Sequence, residues 1–98
     1  MPGDAVTVAP HAYRVVLEND RVRVLEFRGR PGDKTDMHSH PSQVVVAIRG
    51  GRFRLTSPDS QTMEVQLQAG QAMYLDAVDH AAEVLGAGEV HVLLVELK

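Results

Sequence analysis

Gly32-Asp33-Lys34-Thr35-Asp36-Met37-His38-Ser39-His40-Pro41-Ser42-Gln43-Val44-Val45-Val46-Ala47-Ile48-Arg49-Gly50-Gly51 is the stretch on which the reading turns. At its centre stand two histidines with one residue between them. On an extended segment, side chains two apart point to the same face. Two imidazoles side by side on one face are the beginning of a metal site, because neutral imidazole is a common nitrogen ligand for zinc, iron, copper and nickel. The run Val44 to Ile48 is almost wholly β-branched and reads as a buried strand, closed by the turn pair Gly50-Gly51. The histidines therefore lead into a strand that enters the core, with Val44 on the same side as His38 and His40 by simple parity.

The rest of the chain sets the frame. Ninety-eight residues make one domain with a single core. The net charge of −3, with no block of Lys or Arg, argues against nucleic acid or an anionic membrane as partner. There is no cysteine, so disulfides, thiol catalysis and thiolate-bound zinc are excluded. Met1-Pro2-Gly3-Asp4 lacks the basic-then-apolar order of a secretion signal, which makes the cytoplasm the expected compartment.

Along the chain, residues 1–12 show no sustained period and read as an N-terminal arm, ordered against a partner subunit. From Tyr13 onward the period is two. Tyr13–Leu17 is a first strand, and Glu18-Asn19-Asp20 a turn. Arg21–Phe27 then alternates Val22, Val24 and Glu26 against Arg23, Leu25 and Phe27. Arg52–Thr56 and Thr62–Gln68 alternate around the turn Ser57-Pro58-Asp59-Ser60 and read as a hairpin. Gln71–Leu75, His80–Val84 and Val90–Leu97 follow, the last apolar on both faces. Ala81–Leu85 has helix-friendly letters but no helical stripe. Eight or nine short strands joined by Gly, Pro, Asn and Asp turns argue an all-β barrel or two-sheet roll, with room inside for a few side chains or one small ligand.

These residues carry a family resemblance. The chain is similar to the cupin superfamily in its small, single-domain bacterial form, which implies a jelly-roll, double-stranded β-helix barrel over residues 13–98. The first cupin motif runs Gly, five residues, His-x-His, three or four residues, Glu, six residues, Gly. Gly32, His38, His40 and Gly51 stand in that order. In the second motif Gly70 opens and His80 matches the third histidine if the corner is one residue short. The resemblance has two gaps. The motif glutamate falls on Val44 or Val45, neither of which binds metal, and Asp76, Val78 and Val84 replace the second motif's Pro, Gly and Asn. Gln43 is the nearest polar side chain, able to turn inward through a bulge and offer its amide oxygen.

The resemblance implies that His38, His40 and His80 converge on a divalent transition metal, whether Fe, Ni, Cu, Zn or Mn, with positions left open for water or ligand. Three neutral nitrogens bring no charge compensation, so weaker affinity is expected than with the glutamate. Asp36 shares parity with the pair and could orient a ring, and either Tyr74 or Met73 lines the pocket. Met37 and Phe53 are core or interface, His11 is solvated, and His91 is a satisfied sheet histidine. Two functions stay open: a metal-dependent enzyme, oxygenase-like or isomerase-like, on a small organic molecule, or a non-catalytic ligand or metal sensor. A metal-free degenerate barrel that serves as a dimeric interaction protein is the third. No catalytic base is evident. The resemblance also implies a homodimer.

Overall fold

The computed structural model describes residues 2–98. After one helical turn, α1 (Ala5–Val8), the described chain is built of strands: β1 (Tyr13–Glu18), β2 (Val22–Gly29), β3 (His38–His40), β4 (Gln43–Arg49), β5 (Gly51–Thr56), β6 (Thr62–Leu67), β7 (Ala72–Leu75), β8 (Val78–Leu85) and β9 (Val90–Leu97). They form two antiparallel sheets, one of five strands in the order β1-β2-β9-β4-β7 and one of four in the order β3-β8-β5-β6. The expected hairpin is β5 and β6, paired from Gly51 with Leu67 to Thr56 with Thr62. Ala81–Leu85 lies within β8, a strand in which buried and half-buried residues alternate from His80 to Val84.

The period of two decides what lies between the sheets. β2 turns Leu25 and Phe27 inward, β4 turns Gln43, Val45 and Ala47, and β9 turns Val90, Val92, Leu94 and Glu96. Registers align these residues in rows across the larger sheet. One row runs Leu25, Leu94, Val45, Met73; the next toward the barrel's end runs Arg23, Glu96, Gln43, Leu75. The core is thus aliphatic with a ladder of rings at its centre, where Phe27 lies 5.1 Å from Tyr13 and 5.9 Å from Phe53 between centroids. Gly50 turns β4 into β5 at a place where a Cβ would run into the carbonyl oxygen of Leu67, so no larger residue fits without moving backbone.

Two expectations are corrected. The histidines and the valine run are not one strand: Pro41 and Ser42 interrupt it, leaving β3 in the four-stranded sheet and carrying β4 into the other. Parity does not survive such a step. It is Gln43, fully buried, that faces the interior, while Val44 takes the outer face and is only half-buried. Likewise, residues 2–12 pack against this chain's own body. Ala5 and Ala9 are completely buried in this chain's own core, and the Ser39 amide donates to the carbonyl of Gly3 at 2.8 Å.

Candidate metal centre and ligand cavity

His38 and His80 are direct cross-strand partners on β3 and β8, and His40 lies two residues along β3 on the same face. The three rings therefore meet inside the barrel, with centroids 4.8 Å (His38–His40), 4.9 Å (His38–His80) and 5.0 Å (His40–His80) apart. All three are buried, and each offers a ring nitrogen within 4.8 Å of the others.

Hydrogen bonds show which ring nitrogens are engaged. His38 Nδ1 is 2.8 Å from the Asp36 carbonyl, which can only accept, so Nδ1 carries the proton and Nε2 keeps its lone pair. The Tyr13 hydroxyl lies 3.3 Å from that Nε2 and donates to it. His40 Nδ1 is 2.7 Å from Glu96 Oε2. The carboxylate accepts from Nδ1, and His40 Nε2 is buried with no hydrogen-bond partner among the described residues. Glu96 in turn meets Arg23 at 2.8 Å, and Arg23 meets Asp4 at 2.9 Å.

Burial also governs protonation. It pulls the His80 ring down to about 3, with the neighbouring His40 and His38 adding to the effect. His38 is lowered too, mainly by burial, against the pull of its bond to the Asp36 carbonyl. Burial, reinforced by the charge of Glu96, pushes the Tyr13 hydroxyl well above its ordinary value, so it keeps its proton. The outcome is that His38 and His80 are held as neutral imidazoles, the form that ligates metal. Ligands of one ion at zinc–nitrogen bonds of about 2.0–2.1 Å lie about 3–4 Å apart. The ring nitrogens lie within 4.8 Å of one another, a little wider than that spacing, and the buried, unpartnered His40 Nε2 among three clustered rings fits a metal centre.

Beneath the rings is a cavity of about 60 Å³ with an almost wholly apolar lining, including Phe27, Phe53, Leu55 and Met73, into which Gln43 and Tyr13 also project. Both Gln43 amide atoms are buried and unpartnered among the described residues. A larger cleft of about 410 Å³ opens outside it, and His80, Leu55 and Leu75 line both.

The residues singled out from the sequence divide accordingly. His38, His40, His80 and Gln43 are brought together. Asp36 orients the His38 ring, but through its backbone carbonyl, while the residue itself is exposed. Tyr74 is 56% exposed on the outer side of β7 and lines neither space. Its inward neighbours, Met73 and Leu75, take that place because the strand alternates. Phe53 lies in the core and lines the cavity, and Met37 is half-buried. His91 is satisfied by Glu26, and His11 is exposed, its Nε2 at 3.0 Å from the Lys34 carbonyl. Two residues of the site were missed, Tyr13 and Glu96. For Glu96 a signal existed: it is the one acid on the inward parity of Val90, Val92 and Leu94.

With this geometry the class is defined: by fold the chain is a cupin, a double-stranded β-helix. It is similar over 99% of its length to 95% of a cupin domain from Bordetella pertussis Tohama I, at 28% identity and a TM-score of 0.78. An RmlC-like cupin family protein from Methanocaldococcus jannaschii matches 87% of the chain over 77% of its own, at 13% identity and a TM-score of 0.69. A Klebsiella pneumoniae protein with a double-stranded β-helix domain matches 87% over 70%, at 22% identity and 0.68. No family sequence profile and no curated protein sequence matches the chain. No helix among the described residues is long and apolar enough to cross a membrane.

Proposed function

We propose that this chain is a metal-dependent cupin that takes a small, largely apolar organic molecule into the barrel, with chemistry of the oxygenase or isomerase kind. His38, His40 and His80 would hold one divalent ion of the Fe, Ni, Cu, Zn or Mn group. Such an ion, when bound, supplies Lewis acidity or one-electron chemistry. The observation that carries the reading is the buried, partnerless Nε2 of His40 facing two further imidazoles. A polar atom left bare in a core costs about 1–3 kcal/mol, and a ligand bond there removes that cost.

The chain's own groups would then do the binding. Phe27, Phe53 and the aliphatic wall exclude water from the ligand. The Tyr13 hydroxyl, held protonated, offers a hydrogen bond to an oxygen near His38, and the Gln43 amide offers both a donor and an acceptor. A second reading, binding without turnover, is favoured by one fact: among the described residues lining the cavity there is no carboxylate to act as base.

Elemental analysis of the protein expressed without added metal tests the first claim. Stoichiometric Fe, Ni, Cu, Zn or Mn that is lost in a His38→Ala/His40→Ala variant supports it; metal-free wild type sinks it. Oxygen uptake and product formation on small acids, diketones and thiols then separate turnover from binding. Pairing of two copies through the exposed Val15, Val16 and Leu17 of edge strand β1 is part of the same proposal, read by sedimentation.

A further inference from the structure

Glu96 is only 2% exposed, and it stands directly across the β4–β9 ladder from Gln43. A carboxylate so deep is costly unless it is paired and fully hydrogen-bonded. Here one oxygen meets His40 Nδ1 at 2.7 Å and the other meets Arg23 at 2.8–2.9 Å. Gln43, its cross-strand partner and part of the cavity lining, is a neutral amide. The centre thus has no acid among its candidate ligands but has one immediately behind a ligand, in the same cross-strand row.

We propose that Glu96 is the carboxylate of this centre, a positioning residue that acts through the His40 ring from one strand away, where Gln43 supplies no charge. It does two things. By accepting from Nδ1 it fixes the ring and leaves Nε2 free to bind, and it lends the imidazole negative charge that raises its strength as a ligand. Arg23, itself held by Asp4, fixes the carboxylate in turn. The inference rests on the metal reading above, and its test separates the two.

Zinc and cobalt affinities are measured by chelator competition for wild type, Glu96→Gln, Glu96→Asp and the exchange Gln43→Glu/Glu96→Gln. Glu96→Gln is expected to lose about 10–100-fold in affinity, and the exchange, which returns a carboxylate to the cavity, to regain most of it. Wild-type affinity in Glu96→Gln overturns the proposal. If that variant does not fold, Glu96→Asp decides: it keeps the charge toward Arg23 but withdraws from His40, so weaker binding supports the role and unchanged binding overturns it. Nitrogen-15 spectra of the metal-free wild type give a readout independent of metal. His40 should carry its proton on Nδ1, and Glu96→Gln should redistribute it; a ring protonated on Nε2 in wild type overturns the proposal. Wild type that takes up neither zinc nor cobalt sinks the metal reading alone, and the ring spectra still decide whether Glu96 sets His40.

Discussion

Two histidine–glutamate pairs of the same length, 2.7 Å, share strand β9: its Glu96 reaches His40 on β3 of the other sheet, and its His91 meets Glu26 on neighbouring β2. His40 and Glu96 face inward, with side chains 0% and 2% exposed; His91 and Glu26 face outward, at 17% and 13%. Each glutamate also meets arginine: Arg23 inside, Arg14 and Arg28 outside. The outer cluster holds Glu26 down to about 2, through Arg14 first and His91 second, yet water and salt reach it and dilute what it contributes. The inner pair has no such screening. Its charges are tolerated only because every partner is present, and one ring nitrogen is nevertheless left bare. Equal contacts thus carry different meanings: outside they dress a surface, inside they prepare a site.

The largest expected effect separates the two histidines by metal. His40→Ala should weaken zinc binding by more than the ~100-fold typical of groups behind a ligand, while His91→Ala leaves it unchanged. Similar losses in both, read by chelator competition, would break the comparison. Next comes stability. Glu96→Ala strands a half-buried Arg23 and a buried His40 and should cost about 3–5 kcal/mol in urea unfolding, whereas Glu26→Ala should leave the midpoint near wild type.

The third test concerns His80, an imidazole buried with no carboxylate partner. Its folded value of about 3 lies below the ordinary 6.5 of the unfolded chain, so between those values the unfolded state binds the extra proton. Stability of the metal-free protein should therefore be full above about pH 6.5 and fall as the pH drops, by about 2 kcal/mol from His80 alone on reaching about pH 5. Urea melts of wild type against His80→Gln check this; a variant as acid-sensitive as wild type would remove His80 as the cause. The smallest effect is one of salt. Raising salt to about 1 M, where screening acts over about 3 Å, should move the Glu26 titration back toward the ordinary carboxylate range, while the His40 ring resonances stay in place.

The sequence carried the three histidines well, because spacing within a strand and the order of two glycine-led segments are one-dimensional signals. It carried the neighbouring face badly. Counting from His40 to Val44 assumes one continuous strand, and Pro41-Ser42 passes the chain between sheets, so Gln43 and not Val44 turns inward. Tyr13 and Glu96 lie far from the motifs in sequence and reach the site only through the registers of β1, β2, β9 and β4. Nothing local announces those registers. Of Tyr74 and Met73, the two candidates beside the second motif, it is Met73 that lines the cavity, because proximity to a motif in sequence says little about which side of a strand a ring takes.

The Ser39 amide lies between the two candidate ligands of β3 yet is donated outward, to Gly3. Its rate of exchange with deuterated solvent is consequently a built-in gauge of whether residues 2–12 remain docked. The gauge can be read in the unaltered protein, at the backbone of the very strand that presents both rings.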